Sequence, residues 1–125
     1  MKQEKVLALW FMDFLDRNEF ALDYITLFVV NFNPVDAMEL SINKKNVRVF
    51  LETRFPTYLQ KHIEVNGMLG LFDFNIIDNG TDKKVTEIID KMNLLKAKLK
   101  DCLQETPYEE IVKVAVKYIS DEQEQ

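Results

Sequence analysis

The chain has 125 residues, of which 47% are hydrophobic and 30% are charged, and this composition predicts one compact folded domain rather than a disordered or fibrous chain. The net charge of -5 argues against nonspecific binding of nucleic acid or an anionic membrane over the whole surface. A single cysteine and a single histidine cannot form an internal disulfide or a Cys/His zinc site, and the N-terminal apolar run is too short for a signal peptide or a membrane span. We therefore expect a cytoplasmic protein.

The charge is unevenly distributed along the chain. Residues 1–32 carry three basic and five acidic groups, and residues 63–125 carry eight and thirteen. Residues 33–62 carry five basic and three acidic groups, so the middle one is the only one of these three parts with a net positive charge. A surface for an anionic partner is expected there.

Two helices are predicted at the N-terminus. Apolar residues recur at helical spacing over residues 4–15, which indicates an amphipathic helix. Residues 19–32 are apolar almost all round, a pattern that fits a buried helix or a buried strand. The length of this run and Asn18, a candidate N-terminal cap, favour a helix.

Two short helices are predicted in the middle of the chain. Asn33 is a candidate cap and Pro34 suits the first helical position. The helix that begins there is interrupted at Ser41, and a second periodic piece reaches Phe55 and stops near Pro56.

The C-terminal half is predicted to contain a short helix, an extended segment and a helical hairpin. The helix covers residues 57–65, and residues 68–78, between two Asn-Gly pairs, are typical of a strand or an irregular buried segment. A heptad pattern over residues 81–104 predicts a long helix that packs on another helix. A capping box at residues 106–109 opens a helix over residues 107–119, which an acidic tail follows.

The long helix carries a candidate oligomerisation seam. The seam consists of Val85, Ile88, Met92, Leu95 and Leu99. The same side chains would be needed if the helix packed only on the core of its own domain, so both interpretations stay open.

Residues 34–51 have the spacing of a helix-turn-helix. Such a unit needs a small residue where its helices touch, a turn residue four positions later, a branched apolar residue next, and apolar residues five and eight positions beyond. Ala37, Ser41, Ile42, Val47 and Phe50 occupy these positions in order. The pattern resembles the DNA-binding helix-turn-helix, with residues 33–40 as support helix and residues 44–52 as recognition helix.

The outward side chains of the second helix suit a DNA groove. Lysine and arginine contact phosphates or guanine edges, asparagine pairs with adenine, and valine meets the thymine methyl group. The predicted DNA-contacting residues are Asn43, Lys44, Lys45, Asn46, Arg48, Val49 and Arg54. Two other interpretations remain open: a helical corner that does not touch DNA, and a β-hairpin, because apolar residues also alternate around residues 43–46.

A wider resemblance covers residues 24–64, which are similar to the small terminase subunit of tailed phages. The positions that match the order of that family are Asn33, Ala37, Ile42, Leu51, Pro56 and Ile63. The turn reads Leu40-Ser41-Ile42, where the family commonly has an aromatic Gly-Tyr-Ser turn. The resemblance implies a DNA-recognition subunit without catalysis, which forms a ring through a central helical hairpin and hands phage DNA to an ATP-driven large subunit.

No catalytic or metal-binding motif is recognised. The three glycines fit neither a P-loop nor a dinucleotide-binding loop. His62 is interpreted as a surface or phosphate-contacting residue and Cys102 as a small buried hydrophobe. The carboxylates of Asp73, Asp78 and Asp82 lack calcium-loop spacing.

The sequence thus predicts a mostly α-helical protein with three parts: a helix-turn-helix domain with an N-terminal helix (residues 1–66), an extended connector (67–80) and an antiparallel helical hairpin with an acidic tail (81–125). The expected function is non-enzymatic binding of double-stranded DNA by a homo-oligomer, without cofactors, in a bacterial or phage-infected cell. A small transcriptional regulator and an acidic protein-interaction module that does not bind DNA are the alternatives. A large terminase subunit or another protein is an expected partner.

Overall fold

The computed structural model describes residues 2–32, 55–74 and 83–123, and within these ranges the chain is almost entirely helical. The helices there are α1 (Gln3–Arg17), α2 (Ala21–Phe32), α3 (Phe55–Asn66), a 3-10 helix (Met68–Phe72), α4 (Lys83–Glu105) and α5 (Tyr108–Gln123). The predicted mostly α-helical fold is therefore confirmed. The predicted helix-turn-helix, residues 33–52, lies entirely outside the described residues.

Helix α1 is the central helix of the described fold. It approaches α5 and α3 closely, and its buried side chains are Val6, Ala8, Leu9, Trp10, Phe11, Met12, Phe14 and Leu15. This set covers more than half of the helix, so α1 contacts neighbours on several sides. Ala8 of α1 and Ala115 of α5 are both fully buried, and small residues of this kind allow two helices to approach closely.

The turn between α1 and α2 corrects the predicted role of Asn18. Asn18 is the C-terminal cap of α1: its backbone N–H and its side-chain Nδ2 both donate to the carbonyl oxygen of Phe14, at 3.2 and 2.7 Å. It is not the N-terminal cap of α2, which begins three residues later. Glu19 has a positive φ of 55°, and the carbonyl oxygen of Phe20 accepts the N–H of Tyr24 in the first turn of α2.

Residues 21–32 form a helix, as their length indicated. Tyr24, Ile25 and Phe28 are buried, whereas Leu22 and Asp23 are exposed. The buried positions are spaced one and three apart, which is the spacing of one helical face rather than the alternation of a strand.

Helix α3 covers Phe55–Asn66, two residues longer at its start than the predicted helix over residues 57–65. Pro56 in the first turn suits this start, because its missing N–H would have no partner within the helix. Phe55, Leu59 and Ile63 recur every four residues and are buried.

Residues 68–78 are predicted as a strand or an irregular buried segment; the strand is wrong for residues 68–72, which form a 3-10 helix. The backbone leaves α3 through Gly67, whose φ is +75°. Leu71 and Phe72 then turn inward and are buried. Contacts of these side chains with the core outweigh the β preference of the local sequence. Residues 75–80 of the predicted connector lie outside the described residues.

Helices α4 and α5 follow each other across a short connection at residues 106–107, and their pairing as an antiparallel hairpin stays a prediction. The carbonyl oxygen of Pro107 accepts the N–H groups of Glu110 and Ile111 in the first turn of α5. Helix α5 makes its closest approach to α1, whereas α4 approaches the 3-10 helix. Within the described ranges, every helix is too short or too polar to cross a membrane.

Candidate functional site

The predicted DNA-contacting residues Asn43, Lys44, Lys45, Asn46, Arg48, Val49 and Arg54 all lie outside the described residues. The described structure does include the residues on either side of this stretch. Phe28 lies near the end of α2 and Phe55 is the first residue of α3. These two residues therefore give the geometry of the framework that borders the candidate DNA-binding segment.

Phe28 and Phe55 are in direct ring contact. Their ring centroids are 5.3 Å apart and the ring planes meet at 89°, an edge-to-face arrangement. Phe28 is 3% exposed and Phe55 is fully buried. Phe28 and Phe55, which precede and follow the candidate segment in the sequence, are therefore in contact within the core.

Further rings surround this contact and form what we call the aromatic cluster: Tyr24, Phe28, Phe55, His62 and Phe74. Tyr24 lies 6.1 Å from Phe55 and 5.4 Å from Phe74, in both cases edge to face. Phe28 also lies 5.5 Å from the imidazole of His62. The cluster thus joins α2, α3 and the residues that follow the 3-10 helix.

Tyr24 anchors the cluster to the rest of the core. It is fully buried, and its hydroxyl donates a 2.6 Å hydrogen bond to the carbonyl oxygen of Leu71. Burial raises the pKa of Tyr24 well above the usual value of a phenol, because the charged form would lose its hydration. The hydroxyl therefore remains a neutral donor. The sequence shows Tyr24 only as one aromatic residue in an apolar run, so the pattern does not distinguish it.

His62 is half-buried and links α3 to the 3-10 helix. Its Nε2 lies 3.1 Å from the carbonyl oxygen of Gly70, and its Nδ1 lies 3.4 Å from Nδ2 of Asn66. A carbonyl oxygen can only accept, so Nε2 carries the proton and Nδ1 can accept from the amide of Asn66. The imidazole therefore has a structural role in the fold; its predicted contact with phosphate stays a prediction.

The predicted oligomerisation seam lies on α4 and faces the core of the same chain along most of its length. Met92, Leu95 and Leu99 are buried, and Ile88 is partly buried against the same core. Val85, at the start of the seam, is of intermediate exposure. The buried members contribute to the fold of a single chain, and their role between chains stays a prediction.

Lysines on α4 make contacts that the heptad pattern did not indicate. Lys98 Nζ donates to Asn18 Oδ1 at 2.7 Å, and Lys91 Nζ lies 5.5 Å from the centroid of the Phe20 ring. Lys91 Nζ also lies 3.4 Å from the carbonyl oxygen of Glu19. Two lysines seven positions apart on one helix thus meet the turn between α1 and α2. Residues seven positions apart lie on the same side of a helix, so the spacing of Lys91 and Lys98 indicates from the sequence that both face the same neighbour.

A cleft of about 320 Å³ opens beside the same turn. It is lined by Asp16, Glu19, Ala21, Leu22 and Asp23. The pKa of Asp16 is raised, chiefly by partial burial and secondly by the negative charge of Asp13. The three carboxylates that line the cleft, Asp16, Glu19 and Asp23, would repel a phosphate group placed inside it.

The remaining candidate groups do not form a metal-binding cluster within the described ranges. Cys102 is a free thiol of intermediate exposure that packs against the core. Asp73 Oδ1 pairs with Lys96 Nζ at 2.8 Å, whereas Asp78 and Asp82 lie outside the described residues. Among the described histidine, cysteine and carboxylate side chains, no group of three is close enough to hold a metal ion.

Comparisons with known proteins do not assign this chain to a family. The sequence matches no protein-family model, and no curated protein or solved structure is significantly similar to it.

Proposed function

We infer that this chain is a non-enzymatic protein that binds double-stranded DNA as an oligomer, with residues 43–54 as the DNA-contacting surface. The observation that carries the proposal is the combination, over one stretch of sequence, of helix-turn-helix spacing and a net positive charge in a chain that is acidic as a whole. The contact between Phe28 and Phe55 supports it, since a helix-turn-helix inserted into a helical domain needs its two ends close together.

The proposal includes an oligomer because the positive charge of a single DNA-contacting surface is small. Residues 33–62 carry an excess of two positive charges in a chain with a net charge of -5. Counterion release scales with the number of phosphates that are contacted, so one copy gains little affinity. Several copies on one duplex would multiply the contacts.

The two candidate roles in this class differ in subunit number. A small terminase subunit would form a ring of many copies, whereas a transcriptional regulator that binds a two-fold symmetric site would form a dimer. We favour the terminase role because of the similarity over residues 24–64. Native mass spectrometry of the purified protein distinguishes a ring from a dimer.

The DNA-binding surface is tested with two triple variants of equal charge. Lys44→Ala, Lys45→Ala and Arg48→Ala together remove three predicted DNA contacts, and we expect weaker binding and a shallower salt dependence. Lys83→Ala, Lys100→Ala and Lys117→Ala remove the same charge from exposed sites on α4 and α5. Fluorescence anisotropy with a labelled duplex measures the affinity of both variants, and we expect the first variant to bind more weakly than the second. Equal affinities would contradict the placement of the DNA-contacting surface at residues 43–54.

A protein-interaction module is the second candidate, and the acidic cleft beside the turn between α1 and α2 favours it. Leu22, which lines this cleft, is 61% exposed, and the surrounding carboxylates would attract a basic partner. Asp16→Lys together with Asp23→Lys would reverse the charge of the cleft. If the wild-type chain bound no duplex and copurified with a partner that this double variant lost, the interaction module would replace DNA binding.

A further inference from the structure

The corner between α3 and the 3-10 helix contains an Asn-Gly pair, Asn66-Gly67. Asn66 is the last residue of α3, and both residues of the pair are exposed. Glycine has no Cβ, so no side chain hinders the attack of its backbone nitrogen on the Cγ atom of the asparagine before it. The sequence of this corner therefore allows a reaction of the chain with itself.

The side chain of Asn66 lies against two other residues of the corner. A Cβ atom added to Gly70 would lie 3.0 Å from Cβ of Asn66, so the absence of a side chain at Gly70 leaves room for Asn66. Nδ2 of Asn66 lies 3.4 Å from Nδ1 of His62. The other ring nitrogen of His62 lies 3.1 Å from the carbonyl oxygen of Gly70. An imidazole is thus held beside the nitrogen atom that leaves when the amide is lost.

The backbone nitrogen of Gly67 is the nucleophile in this reaction, and one hydrogen bond restrains it. Its N–H donates to the carbonyl oxygen of Ile63 at 2.8 Å, at the C-terminal end of α3. Hydrogen bonds at exposed helix ends open far more often than the core unfolds. His62 also packs on Phe28, with ring centroids 5.5 Å apart, so the imidazole keeps its place when the end of the helix opens.

We propose that Asn66 is a site of self-modification, at which His62 supplies the proton that the leaving nitrogen needs. The nitrogen of Gly67 loses its proton to water and attacks Cγ of Asn66, which closes a cyclic imide. In its protonated form, the imidazole of His62 donates from Nδ1 to Nδ2 of Asn66, and the Cγ–Nδ2 bond breaks with release of ammonia. Water then opens the imide and leaves an aspartate or an isoaspartate, and solvent returns the proton to His62.

The product changes both the charge and the backbone of the corner. A carboxylate in place of the neutral amide lies at the C-terminus of α3, where the helix dipole is negative and disfavours it. An isoaspartate also inserts a CH₂ group into the backbone, which displaces the N–H of Gly67 from the carbonyl oxygen of Ile63. The modified chain should therefore unfold at a lower temperature than the unmodified chain.

The test follows the full-length chain during incubation at neutral pH in water enriched in heavy oxygen. Peptide sequencing by mass spectrometry locates the oxygen that is taken up and distinguishes Asn66 from the other Asn-Gly pair, Asn79-Gly80. Asn66→Gln is the control for the site, because its longer side chain would have to close a larger and less favourable ring. His62→Gln removes the imidazole but keeps an amide that can donate to the carbonyl oxygen of Gly70. His62→Asn takes its place if His62→Gln does not fold.

We expect uptake of heavy oxygen at Asn66 in the wild-type chain. His62→Gln should slow this uptake by about tenfold or more, since proton transfer by a positioned side chain contributes about a hundredfold to ten-thousandfold in enzymes. If His62 only held the corner in place, its replacement would loosen the end of α3 and speed the uptake. An unchanged or faster rate would therefore overturn the role of His62, and no uptake at Asn66 in the wild-type chain would overturn the proposal as a whole.

Discussion

The hydroxyl of Tyr24 donates a 2.6 Å hydrogen bond to the carbonyl oxygen of Leu71, across 47 positions of sequence. This bond joins α2 to the 3-10 helix inside the core. Tyr24→Phe would keep the ring and leave the buried carbonyl oxygen without this donor, which costs about 1–3 kcal/mol. We expect the free energy of unfolding in urea to fall by that amount.

Tyr108→Phe is the control for this substitution. Tyr108 begins α5 and is 45% exposed, so water can replace any partner of its hydroxyl. If Tyr108→Phe lowered the free energy of unfolding as much as Tyr24→Phe, the buried hydrogen bond to Leu71 would contribute no more to stability than an exposed hydroxyl group.

Leu99 and Leu94 lie on the same helix with opposite exposure. Leu99 is fully buried, and Leu99→Ala should cost about 2–5 kcal/mol, from lost burial and the cavity left behind. Leu94 is 68% exposed, and Leu94→Ala should change stability by less than about 0.5 kcal/mol. Urea denaturation of both variants checks the assignment of the inner face of α4, which similar losses would contradict.

Asp16 gives the chain a predicted dependence of stability on pH. Its pKa in the folded chain is raised above the ordinary value of 3.8, so the folded state favours the protonated carboxyl group. That stabilising contribution is present below pH 3.8 and is lost as the pH rises through the folded pKa. Asp16→Asn should therefore raise the unfolding midpoint at pH 7, and the difference from wild type should shrink below that pKa.

Asp90→Asn is the control for this pH effect. Asp90 is exposed on α4, and its replacement should change the unfolding midpoint little at either pH. A neutral Asp16→Asn variant at pH 7 would show that the carboxylate of Asp16 is not destabilising in the folded chain.

Glu19, in the turn between α1 and α2, has a left-handed backbone conformation with a φ of 55°. This conformation is unfavourable for residues with a Cβ atom, whereas glycine adopts it without steric strain. Glu19→Gly should therefore raise the free energy of unfolding by about 0.5–1 kcal/mol. The same substitution at Glu87, exposed in α4, should destabilise by about 1 kcal/mol. Thermal unfolding distinguishes the two variants; a destabilised Glu19→Gly would show that the Glu19 side chain contributes more than its backbone costs.

The periodicity of apolar residues predicts most of the helical fold. The differences between the predicted and the observed elements have physical causes. The repeats over residues 4–15 and 81–104 predict α1 and α4 because a helix buries one face at fixed spacing. The sequence does not show which helix Asn18 caps, because an asparagine before an apolar run suits a helix start as well as a helix end. Nor does it predict the 3-10 helix, because the position of that helix depends on contacts with Tyr24 and Phe11, which are distant in sequence.

The candidate site is predictable to a smaller extent. The spacing of Ala37, Ser41 and Ile42 predicts a helix-turn-helix, but this local spacing does not indicate which other parts of the chain pack against the unit. The ring contact between Phe28 and Phe55 is a tertiary contact between residues 27 positions apart, so single-sequence periodicity could not reveal it.

Anisotropy of a labelled duplex with the wild-type chain, repeated across a salt series, tests the central claim most directly. DNA binding through basic residues predicts that the logarithm of the association constant falls linearly with the logarithm of salt concentration, by roughly 0.9 for each phosphate contacted. A steep slope is the predicted result. Absence of binding at low salt, or binding that is independent of salt, would contradict the claim.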